Sequence, residues 1–485
     1  MTTQGLQALL PLLVLASGAT LLMLQIAAHR NIRLTVLLTL ATFIGAALSV
    51  IPAAEVTPRL VTPLLHADPM ALLFCALFSA GGMVTTVLSV DYMDSRGDEP
   101  EEYFLLLLLS TLGACVLAYA VHVASFLLGM ELLSVALYAL IAYPDKSLLP
   151  LEAATKYLVL SGAASATTLF GFALLYAATG TLEFSELALR LTDLSTEVVN
   201  SRALILVAAV MIVAGLGFKL SLVPFHMWTP DVYQGAPAPV TGFLASVAKA
   251  AIFLVMLRLF LQADLFRFQP LLEAIALIAI VSMLIGNLLA LQQTNIKRML
   301  AYSSIAHMGY LMIVVTVAGN IDNRALAIEA ALYYLIAYTA TTLAAFGLLS
   351  LISAEQNERE NVELNDISGL FWQRPLLASL MVLALLSLAG IPLTAGFIAK
   401  FYIFNIAVSG YHWALLTSLI IGSAIGIYYY LRVVFYMSRQ VDENRYKPKV
   451  PNGWHVRTIS CFLIASILLL GTVPQPLMTY LRTIL

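Results

Sequence analysis

At 485 residues, 61% hydrophobic and 11% charged, with a mean hydropathy of +0.92, the chain has too few charges to coat a water-exposed surface; soluble domains carry about 25%. A net charge of −2 and a pI near 6.4 exclude the basic face that nucleic-acid binding requires. The composition is that of an all-α polytopic membrane protein, a single membrane domain over residues 1–485 whose main partner is the lipid bilayer.

A membrane span needs roughly 20 mainly apolar residues. Fourteen such runs follow one another, near 6–28, 33–54, 69–91, 103–121, 122–143, 156–179, 203–229, 239–262, 271–291, 297–318, 325–352, 375–407, 410–436 and 456–480. The first run has no positive n-region and no small-residue cleavage site, so it is expected to be a retained helix and not a signal peptide. Cys75, Cys115 and Cys461 each stand alone in apolar sequence and read as buried small hydrophobes. Without a C-x-x-C pair or a four-cysteine set, zinc or iron–sulfur ligation is not expected, and no metal site is predicted. No G-x-G-x-x-G or P-loop pattern opens a helix after a strand, so no cofactor is expected on this chain and any redox chemistry belongs to another one.

An even number of spans places both termini on one side. The loops after spans 1, 3, 5, 9, 11 and 13 hold thirteen Lys and Arg, among them Arg96, Lys146, Lys297, Arg298, Arg359, Arg445, Lys447 and Lys449. The opposite loops and tail hold six: Arg59, Arg190, Arg202, Arg267, Arg324 and Arg482. The positive-inside rule then predicts both termini outside, periplasmic in a bacterial inner membrane.

Two spans are interrupted, span 7 by Gly215, Gly217 and Pro224 and span 12 by Gly390, Pro392 and Gly396. The interruptions sit five spans apart, which predicts two five-helix repeats, inverted because each holds an odd number of spans. The expected organisation is helices 1–3 in residues 1–102, a first repeat in 103–262, a second in 263–436, and a loop with helix 14 in 437–485.

Four charges fall near the middle of their spans: Glu131 in span 5, Lys219 in span 7, Lys249 in span 8 and Lys400 in span 12. A charge at the bilayer centre costs about 2.5–3.5 kcal/mol on insertion scales. From Pro239 to Lys249 is about 15 Å of helix, half the hydrocarbon thickness, so Lys249 cannot snorkel to either surface. A buried pair that merely joins helices needs one lysine. Three lysines facing one carboxylate are a poor route to stability and a good supply of titratable groups. Desolvation disfavours a lysine's charged form and a nearby carboxylate restores it, so moving Glu131 relative to Lys219 loads or unloads a proton. Pro224 lacks an N–H and clashes with the carbonyl of Leu220, and the freed carbonyls beside Lys219 can hold water where irregular backbone lines a cavity. The lysine and the break predict a hydrated relay point.

His226 follows Lys219 by seven residues and shares its face if the helix is unbroken; His307 lies mid-span in span 10. Each reads either as a hydrogen-bonded packing residue or as a relay group, since histidine titrates near neutral pH. Lys156 at the start of span 6 is either interfacial or a group that tunes Lys219. Arg258, near the outer end of span 8, is expected to snorkel. The tyrosine run 428–430 reads as packing or interfacial aromatics and not as a cofactor site.

"GLGFKLSLVPFHMWTPDVYQGAPAPVTGFLASVAKAAIF", "NIKRMLAYSSIAHMGY" and "SLAGIPLTAGFIAKFY" resemble the signatures of the antiporter-like membrane subunits of respiratory complex I (NADH:quinone oxidoreductase) and of the related multisubunit cation/proton antiporters. The resemblance covers nearly the whole chain. Lys400 stands where the M-type subunit typically carries a glutamate, and the chain runs to Leu485 without the long lateral helix of the L-type. The resemblance implies that Glu131 and Lys219 form a modulating pair, that Lys249 and His307 relay along the midplane, that Lys400 is the exit-side site, and that Lys156 is the family's additional span 6 lysine. It implies partners among the other membrane subunits of such a complex, with NADH, FMN, iron–sulfur clusters and quinone held by partner subunits. Two other readings stay open here: a cation/proton antiporter not coupled to redox chemistry, and a non-conducting membrane scaffold.

Overall fold

The computed structural model describes residues 2–94, 100–143, 148–194, 199–353, 362–440 and 454–484. Arg96, Lys146, Arg359, Arg445, Lys447 and Lys449, which weight the positive side of the loops, lie outside the described residues. The chain opens with α1 (Thr3–Ala8), α2 (Leu10–Ala28) and α3 (Ile32–Ala54), then a short antiparallel hairpin of β1 (Arg59–Thr62) and β2 (Leu65–Ala67). Next come α4 (Pro69–Asp94), α5 (Glu101–Tyr119), α6 (Val123–Ala142), α7 (Leu148–Thr179), α8 (Phe184–Leu194) and α9 (Val199–Lys219). After an irregular stretch follow α10 (Trp228–Gly235), α11 (Ala238–Phe243), a π-helical turn (Leu244–Ala248) and α12 (Lys249–Gln262). The rest of the chain forms α13 (Gln269–Leu291), α14 (Ile296–Val317), α15 (Ile321–Ser353), α16 (Leu370–Gln373), α17 (Pro375–Ala389), α18 (Ala395–Ser409), α19 (Trp413–Ser438), α20 (Trp454–Thr472) and α21 (Gln475–Thr483).

Apolar runs make these helices and polar caps set where they begin. Asn31 accepts from the Leu34 amide at 3.2 Å and Asn295 from the Arg298 amide at 3.0 Å, each covering one of the four donors a helix start leaves free. At the tight junction near His122, α5 and α6 are separated only by 120–122, and the His122 ring accepts from the Ala124 amide at 3.0 Å. Bridges Leu65↔Ala120 and His122↔Glu183 gather the loops after spans 2, 4 and 6 at one end. Asn295↔Glu363 joins those after spans 9 and 11.

Among the described residues eleven helices are long and apolar enough to cross a membrane, twelve if the pair bent by 79° between α20 and α21 counts as one span. This is fewer than the fourteen continuous runs of the sequence, because runs 7 and 12 fold as short halves: α9 with α10, and α17 with α18. Run 8 is uninterrupted in sequence yet contains the π-helical turn, which ends at the residue before Lys249. Its segment is wholly buried, and α14 and α15 beside it nearly so, at 94% and 89%, whereas α2 and α3 are 28% buried and turn apolar faces outward. The central three helices are therefore shielded from lipid by protein, and Lys249, Ser304 and His307 are buried among them. Cys75 and Cys115 are buried as expected. Cys461 is not: α20 lies at the periphery, where it also exposes Phe462 and Leu469.

Arg258 does not snorkel. It is 2% exposed and grips Asp68 two-pronged, at 2.6 and 3.0 Å, tying α12 to the loop before α4. Burial alone would raise the Asp68 carboxyl, but the Arg258 guanidinium, with His66 and the Ala71 amide, holds it well below the usual carboxylate range. A carboxylate lowered in this way contributes stability that is fully present above its ordinary range and fades only as the pH falls through the lowered value. Asp68→Asn is therefore expected to destabilise near neutral pH by about 3–5 kcal/mol, since it leaves the guanidinium buried without its charge partner. Thermal melting of the protein in its native membranes measures this, and an unchanged midpoint counts against a structural pair.

Candidate functional site

Both breaks end their first helix in the same way. At α9, the Ser221 amide donates to the Phe218 carbonyl and the Leu222 amide to the Gly217 carbonyl, with Ser221 in the left-handed region at φ 64°. At α17, the Gly390 amide donates to the Ser387 carbonyl and the Ile391 amide to the Leu386 carbonyl, with Gly390 at φ 83°. Each is a Schellman closure, for which glycine is the usual left-handed residue. The first helix thus stops at Lys219, five residues before Pro224, so the proline follows the break and does not cause it. In the second break Gly396 is needed for close approach: a Cβ there would lie 1.8 Å from the Ser387 carbonyl oxygen.

Each break presents a lysine, buried at the first and half-buried at the second. Lys219, the last residue of α9, is 5% exposed and donates to Ser134 of α6 at 2.8 Å and Ser161 of α7 at 2.6 Å. Tyr138 donates to the same Ser161 hydroxyl at 2.6 Å. Lys400 of α18 donates to the carbonyls of Leu388 and Ala389 at 2.9 and 3.0 Å, filling acceptors that the end of α17 leaves open. Its ammonium lies 5.3 Å from the Tyr310 ring centroid. Glu131 sits one turn before Ser134 on α6, and its Oε1 is buried with no hydrogen-bond partner. It is not ion-paired with Lys219. None of Lys219, Lys249 and Lys400 has a carboxylate within 4 Å among the described residues.

Lys249 begins α12 directly after the π-helical turn and is 1% exposed. Such turns recur at functional positions. Its ammonium donates to Ser304 of α14 at 2.8 Å, and the Ser304 hydroxyl lies 2.7 Å from the Tyr338 hydroxyl of α15. Three residues on, His307 has Nδ1 2.6 Å from the Tyr334 hydroxyl and its ring 5.3 Å from that of Tyr338. Its Nε2 lies 3.5 Å from Tyr430, whose hydroxyl also meets Ser303. Ser304, His307 and Tyr310 recur at three-residue spacing on one side of α14, so this helix joins the Lys249 site to the Lys400 site. Between Lys219 and Lys249 stand aromatic rings. Trp228 packs on Phe218 and Tyr157 at 5.4 and 4.7 Å, and Tyr233 lies 5.5 Å from the Lys249 ammonium.

The remaining two sequence candidates stand apart. His226 does not share a helix face with Lys219, because the chain between them is irregular; it is buried, with Nδ1 unpartnered. Lys156 lies on the protein surface and pairs with Glu152 at 2.8 Å and Asp231 at 2.9 Å. The tyrosine run divides: Tyr428 is exposed, Tyr429 donates to Asn287 at 3.1 Å, and Tyr430 reaches His307. Sequence reasoning missed Ser134, Ser161, Ser304, Tyr334 and Tyr338. The available signal was a small hydroxyl one turn from a buried charge, as Ser134 is from Glu131 and Ser304 from His307. Among the described residues no three His, Cys, Asp or Glu gather as a metal site.

Broken apolar helices, each holding a lysine at the break, joined by a third lysine and a histidine on buried central helices, define a class of membrane chain resembling cation/proton antiporters. Residues 120–426 match the family described as NADH:quinone oxidoreductase/Mrp antiporter, transmembrane. The chain belongs to that family and, by full-length likeness, to its subunit N members. A chain of Methylococcus capsulatus named NADH-quinone oxidoreductase subunit N is 46% identical over 478 residues, covering 98% of this chain and 94% of that one. One of Ectopseudomonas mendocina with the same name is 44% identical, covering 98% and 96%. A chain of respiratory complex I from Thermus thermophilus is 33% identical with a TM-score of 0.82, covering 97% and 99%. A chain of the Mrp complex from Dietzia shares the fold, with a TM-score of 0.84 at 20% identity over 100% of this chain and 97% of that one.

Proposed function

We propose that this chain is a proton-translocating membrane subunit of NADH:quinone oxidoreductase. Lys219, Lys249, His307 and Lys400 form its relay, Glu131 tunes it, and Lys156 and His226 flank it. The observation that carries the reading is the set of three lysines inside the bundle, two buried and Lys400 half-buried, whose partners among the described residues are hydroxyls and carbonyls and not carboxylates. A serine or tyrosine hydroxyl both accepts and donates, so it can pass a proton from an ammonium to the next group, whereas an ion pair would hold it. Quinone reduction in partner subunits supplies the driving force. In this reading NADH, FMN, iron–sulfur clusters and quinone reside on those partners, and this chain carries no redox centre. The family assignment and the loop charges support a multi-pass chain in a bacterial inner membrane with both termini periplasmic. The matching closures at 217–222 and 386–391 support inverted repeats over 103–262 and 263–436.

Glu131→Gln tests the reading against a passive scaffold. Among the described residues the Glu131 Oε1 has no hydrogen-bond partner and the residue makes no ion pair, so the complex is expected to assemble normally on native gels. NADH-driven proton uptake into inverted membrane vesicles is expected to fall at least several-fold, because the field that biases Lys219 between its protonation states is gone. Wild-type pumping in a fully assembled variant would favour the scaffold.

A further inference from the structure

Helix α10 is eight residues long and lies between the irregular stretch after Lys219 and the turn at Ala236. It nevertheless carries the rings that separate the first two lysines. Trp228 donates to the Phe218 carbonyl at 3.0 Å, beside Lys219, and packs at a tilt against Tyr157 of α7. Five residues on, Tyr233 faces Lys249, with its hydroxyl 3.4 Å from Ser304. One short helix therefore carries a ring beside each of the two lysine sites.

Asp231 follows Trp228 by three residues, on the same side of α10, and its two carboxylate oxygens go to different partners. Oδ2 accepts from Lys156 of α7 at 2.9 Å, and Oδ1 accepts from Arg298 of α14 at 2.7 Å. Arg298 also donates to Gln234 at 2.9 Å, and the neighbouring Lys297 donates to the Ala236 carbonyl at 2.5 Å. Lys156 immediately precedes Tyr157, and Arg298 lies six residues before Ser304. Each cation thus sits on a helix that also contributes a group to one lysine site. Exposed ion pairs add little stability in water, but a carboxylate shared between two rigid helices fixes the helix that bears it.

We propose that Asp231 is a positioning residue: by bridging Lys156 and Arg298 it holds α10, and with it Trp228 and Tyr233, at the spacing that proton transfer between Lys219 and Lys249 requires. This rests on the relay proposed above. It gives the surface-exposed Lys156 a mechanical link to the buried lysines.

The test uses the intact complex in native membranes, with Asp231→Asn, Asp231→Glu and the exchange of Asp231→Arg with Arg298→Asp. Asp231→Asn is expected to lower NADH-driven pumping on the order of 10- to 100-fold, the scale of an ångström-sized misplacement, with assembly intact and the pH profile of the residual rate unchanged in shape. Asp231→Glu should restore most of the rate, and the exchange part of it. Wild-type pumping by Asp231→Asn overturns the proposal. So does a changed shape of the pH profile in Asp231→Asn, since Asp231 would then carry the proton itself. Failure of the Asn and Glu variants alike to assemble would make it a folding determinant instead. Lys219→Ala in the same preparation separates the two readings. If it pumps normally the relay itself fails; if it is inactive while Asp231→Asn pumps normally, only the positioning role falls.

Discussion

A complex carrying Lys219→Ala is expected to assemble and to lose at least about tenfold of its proton pumping, a barrier increase of ~1.4 kcal/mol or more. The two hydrogen bonds from the ammonium to Ser134 and Ser161 are given up, at about 1.5–3 kcal/mol each for a charged donor. Against that, a buried ammonium no longer has to be taken out of water, which saves several kcal/mol. The two contributions offset, so the fold survives while the titratable group is gone. Lys219→Arg sharpens the result. A guanidinium keeps the charge and can still donate to both serines, but it stays protonated in proteins and cannot hand a proton on. A scaffold would accept the arginine; a relay stops with it. The measurement is proton uptake by inverted vesicles per NADH oxidised, with assembly followed on native gels. Wild-type uptake by either assembled variant would refute the assignment of Lys219.

The lysines could be found in the sequence because a charge inside an apolar run is costly anywhere and therefore conspicuous. The second break was legible for a similar reason, since Gly390 and Gly396 stand where only glycine fits: a left-handed closure and a backbone contact with Ser387. The first break was misplaced. Pro224 drew attention as a helix breaker, yet the helix had already closed at Ser221, a residue type that gives no left-handed signal. The partners of the lysines were hidden because serine is unremarkable in an apolar helix, where it can bond its own backbone. Nothing marks Ser134, Ser161 or Ser304 as the ones that turn toward an ammonium until the helices are packed. The π-helical turn before Lys249 has no compositional mark either. Asp68 with Arg258 and Asp231 with Lys156 are joined across 190 and 75 residues, and one sequence read by local pattern cannot pair them.

Lys400 combines two roles that a single substitution can separate. Its ammonium caps the carbonyls of Leu388 and Ala389 at the end of α17, and in the proposed relay it is also the exit-side proton carrier. Lys400→Ala removes both, leaving two buried carbonyls unpartnered at about 1–3 kcal/mol each. The break should loosen, and assembled complex should become less abundant as well as inactive. Lys400→Gln keeps a donor without a charge. The glutamine amide has two N–H groups to offer the same carbonyls, although its shorter side chain reaches them less well, so assembly is expected to recover most of the way. Pumping is not expected to recover, since an amide neither gains nor loses a proton in this pH range. A glutamine variant that assembles like wild type and stays at least about tenfold below it in pumping would assign the chemistry to the ammonium and the stability to its hydrogen bonds. If glutamine restores pumping along with assembly, Lys400 is a helix cap and the relay leaves the chain by another route.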